Sequence, residues 1–113
     1  MYSDKLANDY SVEDVSKVIS AINEAKSSSY PFVPLNGCGR VYLVIGCGTV
    51  KKSSKLAKGM ASVCRVTERP YYKGANFYIG YDNARGNIAS LAEFMAVKLN
   101  EAGFMASVDY DGD

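Results

Sequence analysis

Histidine is absent from this 113-residue chain. Ser-His triads and Cys-His dyads are thereby excluded, along with the side chain whose ordinary pKa suits proton transfer near neutrality. Tryptophan is missing too, and the three cysteines, Cys38, Cys47 and Cys64, have no C-x-x-C spacing. A four-ligand zinc site of Cys and His therefore cannot be built within one chain, and no metal or cofactor is expected. An odd number of thiols suits small apolar cysteines in a reducing compartment. A nucleophilic cysteine would need a base or helix N-terminus beside it, and the sequence supplies none. With no acid/base pair identifiable, the chain reads as a binding protein and not an enzyme.

No apolar run approaches the ~20 residues that span a bilayer. The start, "MYSDKLANDYSVED", lacks the pattern of a signal or transit peptide, so a cytoplasmic protein without membrane contact is expected. Neither a P-loop nor a dinucleotide fingerprint is present.

The length fits one domain over residues 1–113, with 1–10 and 111–113 expected to fray. Ser11 with Glu13 and Asp14 marks a helix start. Val12, Val15, Ile19 and Ile22 then recur at helical spacing to about Lys26. Pro31, Pro34 and Asn36-Gly37 end that pattern, and a short strand at "FV" could precede the turn. "RVYLVIG" (40–46) predicts a strand buried on both faces. Residues 53–61 fit a helix, 63–68 a strand and "ANFYIGY" (75–81) another strand. Residues 87–102 carry the clearest helical stripe, Ile88, Leu91, Ala92, Met95 and Leu99, with Gly103 placed to end it in a left-handed conformation. Phe94 and Val97 form a second face, which implies burial from two sides or a partner chain. "FMASVDY" then alternates, with Phe104, Ala106, Val108 and Tyr110 on one side. The expected class is α/β, with α+β as the alternative. The expected architecture is a small mixed sheet with a C-terminal β-α-β unit of parallel strands and an N-terminal helix packed on it.

"YDNARGN" (81–87) joins the strand to that last helix. Ligands favour such a rim, and a helix N-terminus offers bare N–H groups to an anion. Gly86 would let an anion approach the backbone, and Arg85 could fork onto phosphate oxygens. Asn83 and Asn87 can donate and accept as base or ribose recognition requires. Phe77 and Tyr81 would share a side of the strand, placing one ring to stack on a purine. Arg40, after "NGCG", could project from the sheet end toward the same ligand. The plain alternative is a capped loop, since Asp82 and Asn83 are ordinary N-cap residues.

Charge is segregated. Residues 51–73 hold seven basic side chains, Lys51, Lys52, Lys55 and Lys58 among them, against the single acid Glu68. That stretch could face phosphates or an acidic protein surface, or serve as a solvated face. A pI near 7.6 argues against nucleic acid as the partner. "DYDGD" opens like a calcium loop but ends without the distal glutamate.

The stretch "NFYIGYDNARGNIASLAEFMAVKLNEAGFMASVDYDGD" resembles the C-terminal half of small phage proteins that block Thoeris defence. The similarity lies in the "IGYDN" strand end, the Gly-Asn helix start and the "AGF" exit into an acidic last strand, about a third of the chain. The resemblance implies an α/β protein that sequesters a cyclised ADP-ribose signal without degrading it. It also implies dimers or higher oligomers, with Phe77, Asn87, Arg85 and Arg40 at matching positions. The function expected is sequestration of a cyclic ADP-ribose isomer or cyclic oligonucleotide in the host cytoplasm by a phage anti-defence protein. The alternative is a phage protein–protein inhibitor of the anti-CRISPR kind, acting through the basic segment.

Overall fold

A computed structural model describes residues 6–30, 38–46, 49–69, 72–83 and 87–112. A 3-10 turn, Ala7–Asp9, leads into α1, Val12–Ser27, and β1, Cys38–Ile45. Then come α2, Lys55–Met60, β2, Arg65–Arg69, and β3, Tyr72–Asn83. The chain closes with α3, Asn87–Glu101, and β4, Ala106–Gly112. The "FV" strand proposed before β1 lies outside the described residues.

The fold is α+β. The sheet has the order β2-β3-β1-β4, and every neighbouring pair is antiparallel. The expected strand-helix-strand unit is there as β3-α3-β4, and its strands do run the same way. They are not neighbours, because β1 lies between them and pairs antiparallel with both. The same holds for β1-α2-β2 around β3, so two split β-α-β units interlock. The sheet is therefore antiparallel where a mixed one was expected.

Local chemistry sets the element ends. Ser11 accepts from the Asp14 amide at 3.1 Å while Asp14 accepts from the Ser11 amide at 3.0 Å, a reciprocal capping box. The buried stripe of α1 runs Val15, Val18, Ala21, Ile22 and Ala25, and Val12 faces out. At the far end of α3, Gly103 takes φ 94°, and the Phe104 amide reaches the Leu99 carbonyl at 2.9 Å. This is the left-handed stop expected from the sequence. The Asn100 side chain then both donates to and accepts from the Ala106 backbone, fixing where β4 begins.

The core lies between one sheet face and the helices, with Leu43, Ile45, Phe77, Met95 and Leu99 at its centre. Ala7 and Tyr10 are buried in it, the Tyr10 ring 5.3 Å from that of Phe104, so residues 7–10 do not fray. Residues 111–112 likewise belong to β4. The second face of α3 is covered by the chain itself only in part: Tyr30 stacks on Phe94 at 5.8 Å, whereas Val97 is 46% exposed. Lys98 Nζ sits 5.3 Å from the same ring. No described helix is long and apolar enough to cross a membrane.

Candidate functional site

The start of α3 is already occupied. Asp82, 2% exposed, accepts the amides of Ile88 and Ala89 through one oxygen, both at 3.0 Å. A carboxylate on the first free N–H groups satisfies them and neutralises the positive end of the helix. The expected anion site at this corner is therefore filled by the chain's own acid, and the capped-loop alternative holds. Asn87 opens α3 and is exposed. Arg85, Gly86 and the Asn83 side chain lie outside the described residues.

Phe77 is corrected too. It is 1% exposed and packs in the core, so it cannot receive a ligand ring. Strict alternation would place Phe77 and Tyr81 on one side, but a β-bulge intervenes. Val41 pairs with Gly80 while Tyr42 pairs with Tyr78, leaving Ile79 as the extra residue. Phe77 thus faces the helices and Tyr81 the opposite face, directly across from Arg40. Of the expected site residues, the structure brings together Arg40 and Tyr81.

That opposite face is covered by no described helix, so β1 is not buried on both sides. Val44 is 42% exposed there. Directly paired residues share a face, and the register writes the surface in rows. One row runs Arg65, Tyr78, Tyr42, Asp109 across β2, β3, β1 and β4. The next row toward the β3 end runs Tyr81, Arg40, Asp111. In the other direction Thr67 opposes Asn76, and Val44 opposes Ser107. A shallow depression of about 400 Å³ lies here, lined by Arg40, Tyr42, Arg65, Thr67, Glu68, Tyr78 and Asp111.

Its floor is a tyrosine pair with ring centroids 5.5 Å apart, inclined at 56°. Tyr42 is only 7% exposed and Tyr78 half-buried, so Tyr78 offers the accessible ring and Tyr42 supports it. Arg40 pairs with Asp111 at 3.6 Å, and Lys52 with Glu68 at 3.3 Å, every partner about half-exposed. Such surface pairs contribute roughly 0–1 kcal/mol, so a ligand can exchange them at little cost. Guanidinium groups can fork onto phosphate, a tyrosine face can stack on a base, and the carboxylates can accept from a donor-bearing ligand.

Tyr42 and Tyr78 were not singled out from the sequence, and Arg65 only as one of the basic side chains of residues 51–73. The signal was there as the alternation of Arg40 with Tyr42 and of Asn76 with Tyr78. The apolar density of "YLVIG" masked it by suggesting that both faces were covered. Asp109 and Asp111, the calcium-like acids, sit in β4 opposite Tyr42 and Arg40. Among the described residues no group of three or more acids or thiols is placed to hold a metal.

On the helix side of the sheet, Cys64 lines a smaller apolar pocket of about 240 Å³ with Ile79, Leu91 and Met95. Burial pushes its thiol up to about 11, against the nearby positive charge of Lys26. Lys51, Lys52, Lys55 and Lys58 are all exposed, in and just before α2. No family model, curated protein or solved structure matches the chain.

Proposed function

We propose that this protein is a non-catalytic receptor for a nucleotide-type ligand, bound on the open face of its sheet. The observation that carries the proposal is the Tyr42–Tyr78 pair, flanked by Arg40 and Arg65 in a depression of about 400 Å³. Small-ligand sites typically measure about 300–1,000 Å³. Aromatic rings on the exposed face of a four-stranded sheet are a recurrent platform for bases, an analogy of architecture rather than of descent. The accessible rings of this face, Tyr78 and the 39% exposed Tyr81, suit a ligand of one or two bases. Long single strands need several rings along a basic track, whereas acids here offset the arginines: Glu68, Asp109 and Asp111.

Stacking on Tyr78 with phosphates on Arg40 and Arg65 is binding without turnover, which is what sequestration of a nucleotide signal requires. With the resemblance to anti-Thoeris proteins, the proposed role is phage anti-defence in the host cytoplasm, by capture of a cyclic ADP-ribose isomer or cyclic oligonucleotide. Self-assembly into a dimer or higher oligomer belongs to the same proposal. Native mass spectrometry of protein from signal-producing cells reads assembly and retained ligand together. Calorimetry against these cyclic nucleotides tests binding. Heat from at least one of them, lost in Tyr78→Ala and Arg65→Ala, is expected, and silence with all of them overturns the proposal.

The four exposed lysines support a second reading, a protein–protein inhibitor that covers an acidic surface. Charge reversal at Lys51, Lys55 and Lys58 would then abolish inhibition of the target and leave nucleotide binding intact.

A further inference from the structure

The sheet ends on β2 at one side and β4 at the other, and among the described residues neither has a neighbour on its outer side. An outer edge presents bare N–H and C=O groups, a template for another strand. Strand direction decides what fits there. Directions alternate across the sheet, so β4 runs opposite to β2. A second copy set beside the first by simple translation therefore brings its β2 antiparallel to the first copy's β4. The junction then repeats the pairing found everywhere inside the sheet.

Following the rows outward shows which residues meet. Arg65 and Asp109 end the row that crosses Tyr78 and Tyr42. Val66 and Val108 end the row through Phe77 and Leu43. Thr67, paired with Asn76, and Ser107, paired with Val44, end the next. With the register continued across the junction, Arg65 of one copy stands opposite Asp109 of the other, Val66 opposite Val108, and Thr67 opposite Ser107. Opposite charges, two β-branched side chains and two hydroxyls are each favourable cross-strand combinations. The valines are half-buried and already pack against the core, so the junction prolongs it. The backbone is in phase as well. A residue's N–H and C=O point to the same side of its strand, so hydrogen-bonded and open pairs alternate along a row. Each copy holds three pairs per row, and a fourth at the junction continues the alternation. The sheet's register shifts fall outside these rows, after Thr67 and between Val41 and Tyr42. Arg40 with Asp111 and Glu68 with Lys52 also lie outside them and are paired within the chain. Two β4 edges cannot match charges in this way, because β4 carries acids and no cation.

We infer that the protein self-associates head to tail, the β4 edge of one copy on the β2 edge of the next, in one continuous antiparallel sheet. The contact uses different surfaces on the two copies, so a pair still offers one free edge of each kind and growth passes beyond the dimer. The inference gives the self-assembly proposed above its surface, and it does not depend on the nucleotide.

The test is sedimentation velocity of the whole chain over a dilution series, for wild type, Arg65→Asp, Asp109→Arg and the double variant, with circular dichroism to verify folding. Wild type should form trimers and larger species as concentration rises. Either single reversal sets like charges opposite each other and should raise the concentration needed by about tenfold. The double variant, with the pair inverted, should return toward wild type. Hydrogen exchange of wild type needs no variant: assembly should protect backbone amides within 65–67 and 107–109. A monomer at every concentration overturns the edge contact and self-assembly together, and leaves the nucleotide site to its own calorimetric test. Assembly that stops at dimers, or that neither reversal weakens, overturns the edge contact alone.

Discussion

The carboxylate of Asp82 accepts the backbone amide of Ala89 at 3.0 Å from a nearly fully buried position. The same oxygen accepts Ile88 at 3.0 Å, so one side chain closes the start of α3 from the end of β3. The contact ties helix to strand and removes the helix terminus from the possible anion sites.

Asp82→Ala leaves two amides without their acceptor at a buried position. Loss of a capping side chain costs about 1–2 kcal/mol. Urea denaturation should register at least that loss, whereas Asp82→Asn, which keeps an acceptor oxygen, should lose less. Equal stability of wild type and Asp82→Ala would refute the capping role.

Gly59 is a packing requirement between two helices. A Cβ added there would lie 2.4 Å from Val15 Cγ1 and 3.2 Å from Ile19 Cδ1. Helix propensity favours alanine over glycine by about 1 kcal/mol, but overpacking costs roughly 1–3 kcal/mol. Gly59→Ala should therefore be neutral to destabilising, and less harmful in a Val15→Ala background. A thermodynamic cycle measures this coupling, and strict additivity would contradict the contact.

The elements were largely legible in the sequence because each carried its own local signal. Ser11 with Asp14, Gly103 after α3, and the alternation through Val108 and Tyr110 are all short-range patterns. Strand neighbours were not legible, since nothing in β3-α3-β4 announces that β1 will insert between its strands. The site was misplaced for a related reason. Alternation puts Phe77 and Tyr81 on one face, and a single bulged residue, Ile79, reverses that. Arg40 and Tyr81 were anticipated as ligand contacts; the tyrosine pair of the neighbouring row on the open face, Tyr42 and Tyr78, emerges only once the register is known.

Tyr110 donates its hydroxyl to Glu93 at 2.7 Å. Its ionisation is raised above the usual tyrosine range, first by burial, then by the hydrogen bond and charge of Glu93. A phenol whose folded pKa is raised favours folding below the unfolded value of about 10, and loses that contribution as pH climbs toward the folded value. The difference in phenolate absorbance between wild type and Tyr110→Phe should show a late-titrating tyrosine, and Glu93→Gln should bring it to lower pH. A late step unmoved by Glu93→Gln would contradict the assignment.

The Cys64 thiol, raised from 9.0 to about 11 by burial, should alkylate slowly in the folded protein and rapidly in urea. Its raised pKa favours the folded state below about pH 9, and the gain fades between 9 and about 11. Site-resolved mass spectrometry after timed iodoacetamide treatment reads the rate. Fast labelling of Cys64 at neutral pH without denaturant would show that the thiol is not held as described.

Backbone amide chemical shifts during titration with a cyclic nucleotide test the central claim most directly, because they locate the ligand as well as detect it. Shifts should concentrate at Arg40, Tyr42, Arg65, Thr67 and Tyr78, leaving Ile88 and Ala89 unmoved. Perturbations centred on Ile88 and Ala89, or none at saturating ligand, would contradict a nucleotide site on the open sheet.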